Sequence, residues 1–398
     1  MQQSQRQASQ VRTGLDVVLR DGIGLPGEGR AGLLCNSAAT DRLLRATPQA
    51  LAQVRGLRLI RIFSPQHGFA GEKQDNMVES PDATHEPTSL PIVSLYGRVR
   101  RPEPAMLDDL DAVIVDLPDV GTRVYTFLTT ALYMLRACAE AGVAVIVLDR
   151  PNPIGGDAVE GPMLEAGFTS FVGEIPIPLR HGLTPGEFLR LGARALDLEP
   201  ALDLTVIPME GWRRDLWFDE TGLTWVMPSP NLPTLESTVV YPGQVLLEGT
   251  TLSEGRGTTR PFELWGAPWL DTRAVANAIG PLEGCLLREV AFEPTFQKHA
   301  GQLVRGFQIH VTDRDRYRPV RTTVALLAAV RSIHPERKLW REPPYEYETK
   351  RMPIDLISGS DRLRAAIDAG ASVDDIAGRW DEQVAAFRER RQGFLLYE

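Results

Sequence analysis

The runs AVIVDL at residues 112–117 and VAVIVL at residues 143–148 decide the fold class of this chain. Both are short, continuously apolar and rich in β-branched residues, which is typical of strands buried on both faces of a parallel sheet. The segment between them, residues 126–141, is apolar on most faces and long enough for a helix. This strand–helix–strand order predicts an α/β architecture.

The same pattern extends towards the N-terminus. RAGLLC at residues 30–35 and LRLIRIF at residues 57–63 predict two more strands, and the apolar spacing predicts a helix over residues 41–54. Beyond a boundary expected near residues 196–200 the pattern is less regular, with a strand-like run at 204–208. The first half of the chain is therefore expected to hold the parallel sheet.

Composition limits the classes of function. The 398 residues include 43 Lys and Arg against 52 Asp and Glu, and this net charge of −9 argues against binding to nucleic acid. An anionic small substrate remains compatible, because local arginines can hold one. No apolar run approaches the ~18 residues of a membrane span. The first dozen residues are rich in Gln and Ser and lack the apolar stretch of a secretory signal, so a cytoplasmic location is expected.

No cofactor or metal is predicted. The three cysteines are widely spaced and form no CxxC pair, and the six histidines show no HExxH spacing. Residues 27–32 match GxGxxG, but this pattern precedes a predicted strand, whereas a dinucleotide fingerprint follows one. The sequence leaves the oligomeric state open.

Polar residues follow all four predicted strands. The successive apolar runs are followed directly by Asn36, by residues 64–68 with Gln66 and His67, by residues 118–125 and by residues 149–153. Turn formation and helix capping also use such residues, so one end alone is ambiguous. Ligands of open parallel sheets bind beyond the carboxyl ends of the strands, so four polar ends together favour a ligand site.

Other loops add candidates for acid–base chemistry and anion binding. Carboxylates lie in glycine- or proline-rich stretches, where they act as acids or bases or remain solvated loop charges. The loop Gly255–Arg260 carries two arginines, whose planar forks match a carboxylate. His181, beside Gly182, resembles His67 in its setting. Further carboxylates and arginines of this kind are Glu72, Asp116, Asp119, Glu160, Glu248, Glu254, Glu263, Arg123 and Arg150.

At these motifs the chain resembles the exo-β-N-acetylmuramidase family of bacterial glycoside hydrolases, long known only as a domain of unknown function. The resemblance runs from about Thr13 to the C-terminus. The matching motifs are Gly14–Asp16, Pro65–Gly68, Ser94–Gly97, Asp119–Arg123, Leu148–Pro153, Glu160–Pro162, Arg180–Gly182, Pro228–Asn231, Leu247–Thr250, Ser253–Thr259 and Val311–Arg314.

The resemblance implies a Rossmann-like catalytic domain over residues 13–196 and a smaller C-terminal α/β domain over 200–398, with the cleft between them. It implies an exo-acting hydrolase that removes terminal β-1,4-linked N-acetylmuramic acid from peptidoglycan fragments during cell-wall turnover. The partner would be an amino sugar or muropeptide, whose lactyl carboxylate would explain the loop arginines. The expected catalytic residues are Gln66, His67, Glu72, Asp119, Glu160 and Glu254, and the expected substrate-binding residues are Asn36, Arg123, Tyr125, Arg150, Asn152, His181, Asn231, Arg256 and Arg260.

Gln66 departs from the family pattern. The family has Pro-Glu-His-Gly here, and an amide cannot exchange a proton as its catalytic carboxyl group does. Glu72 could take over this role, or Gln66 could orient water or the acetamido group while Glu160 or Glu254 acts as the acid. Alternatively, the protein cleaves a different amino-sugar glycoside, or binds carbohydrate without cleaving it.

Overall fold

The computed structural model describes residues 10–22 and 29–398. Most of the Gln- and Ser-rich N-terminus (residues 1–9) and the first two residues of the glycine pattern (27 and 28) lie outside these ranges. The strands are β1 Gly29–Cys35, β2 Leu57–Ser64, β3 Ala83–His85, β4 Leu90–Ser94, β5 Ala112–Asp116, β6 Ala144–Leu148, β7 Glu160–Met163, β8 Pro178–Arg180, β9 Leu204–Ile207, β10 Leu264–Ala267, β11 Cys285–Phe292 and β12 Val304–Val311. The helices are α1 Gly14–Asp21, α2 Thr47–Leu51, α3 Thr126–Ala141, α4 Pro185–Ala195, α5 Leu235–Gln244, α6 Thr272–Ile279, α7 Pro319–Ile333, α8 Pro353–Ser358, α9 Arg362–Asp368 and α10 Val373–Arg391.

The main sheet has the strand order β3-β4-β2-β1-β5-β6-β9. All neighbours are parallel except β3 and β4, which are antiparallel. Strand β5 is buried throughout, as its continuous apolar run predicts. The predicted α/β fold is therefore confirmed. Because β1 pairs with β2 on one side and β5 on the other, a crevice is expected beyond the carboxyl ends of these strands.

Helix α3 has the predicted bounds, and residues 126–135 are buried along its whole circumference. It ends at Gly142, whose φ of 67° is a left-handed conformation that glycine adopts without strain. The helix predicted over residues 41–54 is wrong, since only Thr47–Leu51 is helical. The Asp41 carboxylate accepts hydrogen bonds from the backbone N–H groups of residues 43 and 45, which closes a turn in place of a helix.

The second half contains a three-stranded antiparallel sheet, β10-β12-β11. Strand β9 still belongs to the main sheet, although it follows the expected boundary at residues 196–200. The C-terminus returns to the main sheet, where the Tyr397 hydroxyl donates to Asp149 Oδ2 at 2.6 Å, just after β6. Within the described ranges, no helix has both the length and the apolar character needed to cross a bilayer.

Candidate active site

A cleft with about 430 Å³ of empty space lies between the main sheet and the loops of the second half. The end of β2 and the turn before α3 form one wall, and loops after β9 form the other. The polar lining residues are Gln66, His67, Asn76, Tyr125, Thr126, Ser229, Asn231, Tyr241, Glu248, Arg256, Tyr345 and Glu346. A polar cleft of this kind suits a small hydrophilic substrate.

Glu346 is the central carboxyl group of this cleft. Its Oε1 accepts a hydrogen bond from Gln66 Nε2 at 3.1 Å, and its Oε2 accepts one from the Tyr96 hydroxyl at 2.6 Å. Burial raises the pKa of Glu346 to about 7, against the effect of these two hydrogen bonds and with a further contribution from the nearby charge of Glu248. A carboxyl group that keeps its proton near neutral pH has the property required of a general acid.

Glu248 is a second carboxylate in the same cleft. Its Oε1 accepts a hydrogen bond from Arg256 Nη2 at 2.7 Å. Its Oε2 accepts from the Tyr345 hydroxyl at 2.8 Å and from Asn76 Nδ2 at 3.3 Å. The guanidinium and two neutral donors therefore hold Glu248 in one orientation. Glu248 and Glu346 differ in environment, as the two carboxyl groups of a glycosidase must.

His67 enters the cleft from a strained turn after β2. Its φ of 74° is left-handed, which is uncommon for a residue other than glycine and is often found at functional sites. Its Nδ1 lies 2.7 Å from the carbonyl oxygen of Lys73, which can only accept, so Nδ1 carries the proton. Burial, with a smaller contribution from Arg256, lowers the pKa of His67 to about 4. The ring is therefore neutral at pH 7, with Nε2 available as an acceptor.

Gln66 connects the first half of the site to Glu346. Its Oε1 accepts a hydrogen bond from the Thr126 hydroxyl at 2.6 Å, and this fixes the orientation of the amide. Its Nε2 then points to Glu346 as a donor. The amide at this position therefore touches a carboxyl group supplied by a distant part of the chain.

Arg256 is held by carboxylates on two sides. Besides the bond to Glu248, its Nε lies 3.4 Å from Glu254 Oε1. Burial disfavours the charged guanidinium, but Glu248 and Glu254 outweigh this effect and raise the pKa of Arg256. Its Nη1 makes no hydrogen bond to any residue in the described part of the chain. Nη1 therefore retains N–H groups that a ligand can use.

Five residues predicted for the site line the cleft together: Gln66, His67, Tyr125, Asn231 and Arg256. Asp119 and Arg150 line a separate cavity beyond β1, β5 and β6, and Glu160 lines another near β8 and β12. The other predicted residues do not line the cleft, and these are Asn36, Glu72, Arg123, Asn152, His181, Glu254 and Arg260.

Several of these residues organise the backbone behind the cleft. Arg123 is buried and donates hydrogen bonds to the carbonyl oxygens of residues 162, 177 and 357. Asn152 Nδ2 donates to the carbonyl oxygen of Leu183, and Asn36 Nδ2 donates to that of Pro228. In these contacts the polar side chains link separate segments of the backbone by donating to their carbonyl oxygens.

Buried pairs of polar side chains account for others. Arg150 forms a two-pronged ion pair with Asp116, with Nη2 and Oδ2 2.9 Å apart. His181 Nε2 lies 3.5 Å from Asp119 Oδ2, and both side chains are inaccessible to solvent. These pairs stand directly behind the ends of β5 and β6.

The remaining carboxylates lie apart from Glu346. Glu160 Oε1 accepts from the backbone N–H of Arg321 at 2.8 Å, at the start of α7, and burial raises the pKa of Glu160 to about 7. Glu72 is exposed and covers Gly68, where an added Cβ would meet Glu72 Oε1 at 2.6 Å. Glu254 joins Arg256 to Lys298, and Arg260 pairs with Glu263 near the surface.

Glu346 and Tyr345 were not predicted as site residues, and Glu248 was noted only as one of many loop carboxylates. The segment Pro343–Tyr347 has no periodic pattern, but it alternates aromatic and acidic residues directly after two prolines. Glu346 and Tyr347 both have left-handed φ values, 45° and 67°. This alternation of aromatic and acidic residues is unusual for a solvated loop, and it was the sequence signal that could have indicated a site residue in this segment.

The fold and the carboxylate-lined cleft are typical of an α/β enzyme that performs acid–base chemistry. Comparison with known families is decisive: residues 31–236 match the N-terminal and residues 239–397 the C-terminal model of exo-beta-N-acetylmuramidase NamZ. The chain belongs to this family of glycoside hydrolases, as the sequence motifs predict.

Individual relatives agree. The chain is 39% identical over 389 residues to peptidoglycan beta-N-acetylmuramidase NamZ of Bacillus subtilis, covering 97% of this chain and 91% of that protein. Crystal structures of two DUF1343 family proteins from Bacteroides fragilis superpose on it with TM-scores of 0.87 and 0.75. They are 30% and 28% identical to it, and each alignment covers 98% of this chain and 99% of the other.

Proposed function

We propose that this protein removes terminal β-1,4-linked N-acetylmuramic acid from peptidoglycan fragments, with Glu346 as the general acid and Glu248 as the charged partner. The observation that carries the assignment is the presence in one cleft of a buried carboxyl group with a pKa of about 7 and a second carboxylate paired with Arg256. The relative in Bacillus subtilis is described as acting on the same kind of substrate.

The proposed chemistry begins with protonation. Glu346 gives its proton to the glycosidic oxygen while the bond from that oxygen to C1 breaks. The positive charge that develops at C1 is stabilised by the carboxylate of Glu248, and water then supplies the hydroxyl group of the released sugar. Proton loss from this water completes the balance and restores the acid form of Glu346.

Substrate recognition uses the other groups of the cleft. We assign the lactyl carboxylate to Arg256 Nη1, because that nitrogen has no hydrogen bond within the described residues. His67 Nε2 accepts a hydrogen bond from a sugar hydroxyl, since the ring is neutral with its proton on Nδ1.

The biological setting we propose is recycling of cell-wall fragments in the cytoplasm. The cysteines at positions 35, 138 and 285 are buried and unpaired, which suits a reducing compartment. Cell fractionation with an antibody to the native protein tests the location. Recovery of the protein outside the cytoplasmic fraction would contradict it.

Activity is tested with a chromogenic N-acetylmuramide and with the disaccharide of N-acetylmuramic acid linked β-1,4 to N-acetylglucosamine. We expect release of N-acetylmuramic acid from both, and little turnover of the corresponding N-acetylglucosaminide. Longer glycans should lose single sugars from one end, as followed by mass spectrometry. Binding of the disaccharide without turnover by folded protein would favour a carbohydrate-binding role over hydrolysis.

A further inference from the structure

Lys298 places a largely buried ammonium group behind the cleft. It lies in the hairpin loop between β11 and β12, and its side chain is 13% exposed. Its Nζ donates to Glu254 Oε2 at 2.7 Å and to the carbonyl oxygens of Leu247 and Leu252 at 2.7 and 2.9 Å. An ammonium group has three N–H donors, so none remains for a substrate.

Lys298 is connected to the cleft through alternating charges. Glu254 lies between Lys298 and Arg256, and Arg256 lies between Glu254 and Glu248. The side chains of Glu254, Arg256 and Glu248 are 2%, 7% and 5% exposed. Water therefore screens these charges weakly, so the loss of one charge changes the electrostatic energy of the others. We call these four residues the charge relay.

The same hairpin loop reaches Glu248 by a second route. Gln297 Nε2 donates to Asn76 Oδ1 at 3.1 Å, and Asn76 Nδ2 donates to Glu248 Oε2 at 3.3 Å. Gln297 and His299, on either side of Lys298, have left-handed φ values of 68° and 60°. Strained backbone on both sides of a buried charge indicates that its position is strongly constrained by the surrounding structure.

We propose that Lys298 is a positioning residue, which acts through the charge relay to keep Arg256 on Glu248 and thereby holds the Glu248 carboxylate in its working orientation during turnover. The inference deepens the proposed function and rests on it. Lys298 neutralises Glu254, so Arg256 remains available to Glu248. Without Lys298, the negative charge of Glu254 competes with Glu248 for the single guanidinium.

Other groups around Glu248 must be considered. Tyr345 donates to it, and Glu346 and Tyr241 lie close enough to interact with its charge. None of the three is in the charge relay, so substitutions at Lys298 and Glu254 leave these contacts in place. Their influence is therefore common to all the variants compared.

The test is the pH dependence of kcat for hydrolysis of the chromogenic N-acetylmuramide. Lys298→Met removes one positive charge from the charge relay, so the acidic limb should move up by about 1 pH unit. We expect kcat near the optimum to fall about tenfold. Glu254→Gln should move the limb in the opposite direction, and the double variant should return it towards wild type. Lys338→Met is the control, because Lys338 is 63% exposed and its ion pair within the described residues, with Glu342, lies at the surface.

The outcomes separate the two proposals. Limb shifts of opposite sign in the single variants, largely cancelled in the double variant, support the charge relay. If Lys298→Met does not fold, the downward shift in Glu254→Gln and its reversal in the double variant decide the matter. An active wild type with an unmoved limb in the variants overturns the relay alone. A wild type that hydrolyses no muramide overturns the proposed function and this inference with it.

Discussion

Gln66 Nε2 donates a hydrogen bond to Glu346 Oε1 at 3.1 Å, across 280 positions of the sequence. The amide that replaces the carboxyl group expected from the family motif therefore lies beside another carboxyl group, and Tyr96 holds that group from its other oxygen. Gln66 in turn is fixed by Thr126. An active site with an amide at this position is thus still supplied with a carboxyl group.

The first prediction is that Glu346→Gln removes most of the activity. A general acid contributes about 10²–10⁴-fold, and we expect kcat for a muramide with an unactivated leaving group to fall within that range. Glu342→Gln, an exposed neighbour on the same segment, is the control. Glu72→Gln should also keep its activity, because Glu72 lies outside the cleft. A large loss in Glu72→Gln with an active Glu346→Gln would reverse the assignment.

The pH dependence of kcat/KM gives a second prediction. Glu346 must be protonated to act as the acid, and its pKa of about 7 means that activity is present below pH 7 and is lost as the pH rises through this value. The Tyr96 hydroxyl favours the charged form, so Tyr96→Phe should move the alkaline limb to higher pH. A pH-rate series on both proteins measures the shift, and a limb that moves down or stays fixed counts against Glu346.

Gln66 provides a third prediction. Gln66→Ala removes one hydrogen bond from the charged form of Glu346, and should lower kcat modestly and move the alkaline limb upwards. Gln66→Glu places a second carboxyl group beside the first, and like charges disfavour double ionisation, so the limb should move further up. Complete loss of activity in Gln66→Ala, with a normal melting temperature, would show that the amide itself performs a chemical step.

Local patterns explain what the sequence predicts well. Strands β5 and β6 are continuous apolar segments apart from Asp116 at the end of β5, and helix α3 is apolar over most of its length, so their burial follows from composition. The helix expected over residues 41–54 failed because the Asp41 carboxylate satisfies the backbone of a turn, which apolar spacing does not report.

The site is harder to predict for a physical reason. Gln66 and His67 follow a strand, and this position in the sequence predicts them as site residues. Glu346, in contrast, comes into contact with Gln66 through the packing of the second half of the chain. Arginines raise a similar difficulty. Arg123 and Arg256 both lie in loops beside glycines, but one donates to backbone carbonyls and the other lies in the cleft between carboxylates. Loop composition does not distinguish these two environments.

Discrimination between sugars gives a fourth prediction, at Arg256. Arg256→Lys keeps a positive charge near Glu248 but replaces the planar guanidinium. The variant therefore lacks Nη1, the nitrogen that we assign to the ligand. We expect binding of N-acetylmuramic acid to weaken by roughly 1.5–3 kcal/mol, the value of a charge-assisted hydrogen bond. Binding of N-acetylglucosamine, which lacks the lactyl carboxylate, should change much less. Calorimetry on both sugars measures the difference. The variant Arg337→Lys is the control, because Arg337 is exposed. Equal losses of binding for the two sugars would argue against a contact between Arg256 and the lactyl carboxylate.

The last prediction separates binding from stability at Arg150. Its guanidinium forms a buried ion pair with Asp116 and donates to the carbonyl oxygen of Thr40, and it lines a cavity separate from the cleft. Arg150→Met would leave the Asp116 carboxylate buried, with the Thr47 hydroxyl as its remaining side-chain hydrogen-bond donor in the described part of the chain. Breaking such a pair costs about 3–5 kcal/mol, because a buried charge loses its counterion. Urea unfolding should therefore show a large loss of stability, while KM of the folded protein stays near the wild-type value. The variant Asp116→Asn should also be destabilised, and the double variant should be less affected than the sum of the two single changes. A raised KM with unchanged stability would instead place Arg150 in contact with the substrate.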